Sequence, residues 1–354
     1  KGYEADGLCT EGDVVVVSLN HRLNILGYID LTALGGPFSQ SVNLGLQDIV
    51  KALEWIRDNI EYFGGDPNNV TIAGQSGGAR KVSTLLSMPS AHGLFHKAII
   101  QSGSALTQTL PEVSQRFGLA FAKAVGASAA HPEKFNDYSY EELVAIYNKI
   151  IGELPNDVPG QRMQICTPVV DGTIIPQHPF TPEAPAISKD VPVMIGSNFH
   201  EFSFENTPMT EAEAMAALQA KYGDRTGEYV EAFRRAYPEM GPRDMVAMDL
   251  YYRPNAIKQA CRKSAQGGAP VYAYHFHWSP KTNYLGASHG MELPFMFNNV
   301  MLQPEMTGNT PEAHQLENLV SSAWIAFVKT GDPNGNDADG TPMQRWIPYE
   351  ADTN

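Results

Sequence analysis

The chain has 354 residues, 43% hydrophobic and 10% aromatic, enough to bury a sizeable core as one large domain or two ordinary ones. Its formal net charge of -14, with no Lys/Arg-rich run, repels phosphate backbones, so nucleic acid is not an expected partner. No apolar stretch approaches the roughly 18 residues that suggest a membrane span. Three widely spaced cysteines, Cys9, Cys166 and Cys261, lack CxxC pairing and read as free thiols or one disulfide rather than a metal or redox site.

In chain order, the β-branched run "DVVVVSL" over 13–19 predicts a strand covered on both faces. Leu46, Ile49, Val50, Leu53, Ile56 and Ile60 recur at helical spacing and predict a helix that Gly64-Gly65-Asp66-Pro67 stops. "NVTIAG" predicts a second strand, followed by a Gly-rich corner, the helical "GGARKVSTLLSM" and a third strand in "HKAIIQSG". This β-α-β-α-β order implies parallel strands joined by right-handed crossovers, hence an α/β sheet with helices on both faces. Beyond residue 110 helical segments alternate with the strand-like 191–198 and 270–278, and a long helix is expected over "AHQLENLVSSAWIAFVKTG". The pattern suggests one sheet carrying helical excursions over its upper edge, and a single domain over 1–354 rather than two.

The stretch "TIAGQSGGAR" places Ser76 between Gly74 and Gly78 where a strand meets a helix. Gly-x-Ser-x-Gly alone is a weak signal that a Gly-rich turn with an N-capping serine could mimic. At a strand-to-helix elbow, however, it lifts the serine hydroxyl above the sheet edge and aims the Gly77 N–H, at a helix N-terminus, toward the same point. A serine nucleophile requires a base and an orienting acid. Of ten histidines, His275 and His277 fall inside a strand pattern, and His92, His96, His131 and His314 sit in loop, edge or helix-start positions. His21, His178 and His200 have no flanking pattern that singles them out. His289, in "GASHGMELPFMF", follows the last strand between glycines and is the best-placed base, though not the only one. Among 39 carboxylates, Glu201 in "VMIGSNFHEF" lies just past a strand's C-terminal end, where open α/β sheets collect active groups.

These segments resemble the type-B carboxylesterases, a family that includes para-nitrobenzyl esterases and cholinesterases. The resemblance runs through "DVVVVSLNHRLNILGY", "NLGLQDIVKALEWIRDNIEYFGGDPNNVTIAGQSGGA", "LFHKAIIQSGSAL", "TPVVDGTIIP", "IGSNFHEF", "SHGMELPFMF" and "WIAFVKTGDPN", in order from about residue 12 to 336. It implies an α/β-hydrolase fold and hydrolysis of a small-molecule carboxylic ester through an acyl-enzyme, with no cofactor and no metal. It further implies Ser76 as nucleophile, Glu201 as orienting acid, His289 as general base and Gly77 as an oxyanion donor. Ser102, in "QSGS", matches a serine that the family places within hydrogen-bond reach of the acid; a strand-end turn explains it equally well.

Departures accompany the resemblance. Gln75 stands where Glu is common, Gly77 where Ala is, and His21 replaces a usual tyrosine. The family's other oxyanion donors come from a Gly-rich loop before the 13–19 segment, so the expectation is a chain truncated at its N-terminus, or an enzyme completed by an N-terminal fragment of the same precursor, and cut at its C-terminus too. Arg80-Lys81 is expected to face solvent, and segments 104–116, 200–215 and 291–303 to line the substrate pocket, with "MELPFMFNNVML" suited to an acyl or aryl group. A non-catalytic binding protein on the same fold and an amidase using the same triad are the alternatives, separable by fluorophosphonate labelling and by matched ester and anilide substrates.

Overall fold

The computed structural model describes residues 2–153, 165–202, 208–280 and 286–351. In chain order its helices and strands are α1 (Asp6–Gly12), α2 (Asn24–Tyr28), α3 (Leu44–Asn59), β1 (Thr71–Gln75), α4 (Gly77–Leu85), β2 (Lys97–Gln101), α5 (Pro111–Val125) and α6 (Tyr140–Glu153). There follow β3 (Val193–Asn198), α7 (Glu211–Tyr222), α8 (Thr226–Ala236), α9 (Pro242–Ala247), α10 (Arg253–Ser264), β4 (Val271–Phe276), α11 (Leu293–Met296), α12 (Pro304–Thr307) and α13 (Pro311–Thr330). The four strands form one parallel sheet in the order β1-β2-β3-β4.

Register explains the two cores. Ala98, Val193 and Val271 are aligned across the sheet, and so are Ile99, Met194 and Tyr272 one residue later. Successive residues of a strand face opposite sides. Accordingly Ala98, Ile100, Val193, Ile195 and Val271 pack with α3, α4 and α10, whereas Ile99, Met194 and Tyr272 meet Trp324 and Phe327 of α13 on the other face. The α3 residues Leu46, Ile49, Val50, Leu53 and Ile56 are all buried, each worth about 2 kcal/mol of transfer free energy. A left-handed Gly331 terminates α13, as the sequence predicts.

Two expectations are corrected, and one helix is added. Residues 13–19 form no strand, and Val15, Val16 and Val17 are 43%, 39% and 42% exposed. β-branched residues favour extended backbone, but a strand exists only where a partner accepts its ladder, and β1 pairs with β2 alone. The spacing of "RDMVAMDLYYRPNAIKQACRK", 243–263, predicts one helical stretch, which the structure divides into α9 and α10. Asp249 accepts the amides of Tyr251, Tyr252 and Arg253, starting a new helix there, and Pro254 in its first turn could not continue an earlier one. The helix α8 was not assigned from sequence; it packs Val230 and Phe233 into a cluster with Phe199, Leu218 and Met245.

Candidate active site

The three strand ends at the site share a strained backbone. Ser76 after β1, Ser102 after β2 and Glu201 after β3 have φ of 57°, 51° and 46°. Non-glycine residues adopt that region at a cost and persist there where surrounding structure demands it, often at functional sites. The Ser76 amide is tied to the Gln101 carbonyl at 2.8 Å and its carbonyl accepts from Arg80 N at 3.0 Å. Gly74 permits this turn: a Cβ there would lie 2.5 Å from the Gly78 carbonyl carbon. A Cβ on Gly78 would meet nothing within 4 Å, so of the two flanking glycines only Gly74 relieves crowding. Gly77 opens α4, where its N–H has no intrahelical acceptor.

Glu201 and His289 come together from β3 and the segment after β4. His289 Nδ1 lies 2.5 Å from Glu201 Oε2, while the Asn198 amide donates to Oε1 at 2.7 Å. Glu201 is 1% exposed. A parallel bridge between Glu201 and Ser288, with His289 N donating to Glu201 O at 2.9 Å, fixes the two backbones. Among the described residues no hydrogen bond joins Ser76 to His289; His289 Nε2 instead lies 3.1 Å from Gln75 Nε2. Ser102 is buried, yet its hydroxyl makes no hydrogen bond, and both Glu201 oxygens are engaged by other groups. The expected Ser102 contact with the acid is therefore not formed.

A sequence profile of the carboxylesterase family matches residues 1–354. The chain belongs to the carboxylesterase family. It is 33% identical to para-nitrobenzyl esterase of Bacillus subtilis over 99% of this chain and 70% of that one, and 32% identical to phenmedipham hydrolase of Pseudarthrobacter oxydans with the same coverages. A solved esterase of Clostridium hathewayi, described as hydrolysing aliphatic aromatic polyesters, superposes with a TM-score of 0.85 at 36% identity, covering 99% of this chain and 70% of that one. This is a serine carboxylesterase of type B on an α/β-hydrolase fold.

Several residues of the esterase's site gave no sequence signal. Tyr252 stacks on His289 with centroids 5.2 Å apart and planes 10° apart, and the half-exposed Phe202 tilts over it at 4.4 Å. Burial pushes the Tyr252 phenol up, with the neighbouring Ser76 hydroxyl opposing the shift. Behind Glu201, the fully buried Glu292 accepts from Asn198 Nδ2 at 2.5 Å and Gln101 Nε2 at 3.3 Å. Burial pushes its carboxyl up to about 7; the Asn198 bond opposes this and the Glu201 charge adds to it. Only spatial assembly makes these residues neighbours, since Gln101, Asn198 and Glu292 come from three separate segments.

The pocket expectation is corrected in part. Met291, Phe295 and Val300 are core, packed with Phe276 and Ala313 rather than presented to a substrate. Of the 104–116 segment, Pro111 and Gln115 line a separate cleft of about 460 Å³ with Asp30 and Asp171, which includes none of Ser76, Glu201 and His289. Of 200–215, Phe202 reaches the site; 203–207 lie outside the described residues. Arg80 and Lys81 are half-buried rather than solvent-facing, and Lys81 Nζ donates to the Gly77 carbonyl at 3.2 Å, its ammonium pKa lowered by burial and then by Arg80. All three cysteines are free, and burial pushes the Cys166 thiol up to about 12.

Proposed function

We propose that Ser76, His289 and Glu201 form the catalytic triad of this carboxylesterase, and that 1–354 acts as one catalytic domain. The observation that carries the reading is the 2.5 Å contact between the buried Glu201 carboxylate and His289 Nδ1, beside a serine held at positive φ on a strand-to-helix elbow. Glu201 keeps the Nδ1 tautomer and leaves Nε2 as the proton acceptor. For attack, the Ser76 hydroxyl turns toward Nε2 and the Gln75 amide gives way; catalytic hydrogen bonds are often loose in the absence of substrate.

His289 then takes the Ser76 proton as Oγ adds to the ester carbonyl. The oxyanion forms near the Gly77 N–H, at the positive end of α4. Collapse returns the proton to the leaving alkoxide and releases an alcohol. Water, deprotonated by His289, adds to the acyl carbonyl; the C–Oγ bond then breaks, Ser76 Oγ takes the proton back from His289, and the acid leaves. The aromatic surface of Phe202 and Tyr252 beside His289 suits an ester with an apolar or aromatic group, a preference in keeping with the relatives named for nitrobenzyl and aromatic polyester substrates.

The test is Ser76→Ala in the full-length protein with a short-chain nitrophenyl ester and a fluorophosphonate probe. The expected outcome is loss of both hydrolysis and labelling, by on the order of 10⁴-fold or more in kcat. Undiminished hydrolysis removes Ser76 from the role.

A further inference from the structure

The bond between His289 and Glu201 depends on how the segment 286–289 is held against 199–201. Three backbone bonds do part of this: His200 N and Glu201 N both donate to Ala287 O, at 3.0 and 3.2 Å, and His289 N donates to Glu201 O. The Ala287 amide turns the other way and donates to a side chain, His200 Nδ1, at 2.9 Å. The opposite ring nitrogen, Nε2, lies 2.9 Å from Asp244 Oδ1 of α9, and the His200 side chain is only 3% exposed. Asp244 is itself fixed, its Oδ2 accepting the Gly241 amide at 2.9 Å. Gly286 passes so close that a Cβ there would sit 2.5 Å from His200 Nδ1.

The geometry assigns the tautomer. An N–H pointing at Nδ1 requires a lone pair there, so the proton sits on Nε2 and is given to Asp244. An imidazolium would set two N–H groups against each other. Besides Asp244 of α9, the ring interacts with His275 in β4 and with His277 just beyond it. Burial pushes His275 down to about 3 and lowers His277, and Asp244 is the carboxylate that His200 meets.

We propose that His200 is a positioning residue: as a neutral imidazole bridging Asp244 and the Ala287 amide, it fixes the segment carrying His289 against Glu201. The proposal rests on the triad reading above.

The experiment compares three variants of the full-length protein on a nitrophenyl ester, with hydrogen exchange of the peptide covering 286–291. Asparagine places an oxygen near the position of Nδ1 and can keep the Ala287 bond; glutamine reaches toward Asp244 instead; phenylalanine fills the space with neither. Expected is a kcat loss on the order of a hundredfold for His200→Phe and His200→Gln with KM nearly unchanged, as for a misplaced base, and activity within severalfold of wild type for His200→Asn. Protection of 286–291 should fall in His200→Phe and His200→Gln and stay at the wild-type level in His200→Asn. Equal kcat for wild type, His200→Phe and His200→Gln, or equal protection of 286–291 in all of them, overturns the proposal. An inactive wild type that also resists fluorophosphonate would instead sink the triad reading.

Discussion

Replacing Glu292 by glutamine isolates the energetic consequence of putting a second carboxyl behind Glu201. Glu292 is fully buried, and its carboxyl moves from an ordinary 4.5 to about 7. That difference corresponds to about 3 kcal/mol. The sign follows from which form the fold prefers. A raised carboxyl pKa means the native state holds the proton more tightly than the unfolded chain, so this contribution to stability is complete below about 4.5 and is lost as pH rises through about 7. Glutamine is neutral at every pH and can still accept from Asn198 Nδ2, while the Gln101 amide can reorient toward it. The Glu292→Gln protein should therefore lack this pH dependence. The assay is the difference in unfolding midpoint between variant and wild type across pH 4 to 9, by urea with tryptophan fluorescence; other titrating groups are common to both and largely cancel. The difference should move in the variant's favour between about pH 4.5 and 7, and be flat outside that range. A difference that is constant throughout would refute the assignment of a raised pKa to Glu292.

Other outcomes follow from the same geometry. Gly74→Ala drives a Cβ into the Gly78 backbone and should cost about 1–3 kcal/mol or more and most of the activity, while Gly78→Ala, with open space at that position, should fold normally by circular dichroism and thermal melting; equal behaviour of the two would contradict the elbow's packing. Gln75→Glu puts a carboxylate beside His289 Nε2. It should favour the imidazolium and shift the acid limb of kcat/KM upward by about one unit or more, and an unmoved limb would mean that the residue 75 side chain does not face the base in the working enzyme.

The segments around Ser76, Glu201 and His289 were legible because each carries its own local signature. An apolar run meets Gly74 at the elbow, a strand ends just before Glu201, and glycine follows His289. The sheet was legible for the same reason: β1 to β4 are short apolar runs whose order dictates parallel pairing. Val14 to Val17 look as strand-like as any of them, yet their backbone pairs with nothing in the sheet, since propensity is a property of residues and a ladder is a property of two segments.

What the sequence by itself determined is thus the order of the four strands and the serine elbow; among ten histidines and 39 carboxylates it made His289 and Glu201 the best-placed candidates and no more. Only the tertiary structure decided what surrounds them: Gln75 at Nε2 of His289, Tyr252 and Phe202 over its ring, Glu292 beside Asn198 behind Glu201, and His200 between Asp244 and the Ala287 amide. It also decided that Met291, Phe295 and Val300 are core rather than pocket. Apolar spacing reveals that a side chain is buried. Which neighbours bury it, and which lone pair finds which proton, depends on segments tens to hundreds of residues apart meeting at one sheet edge.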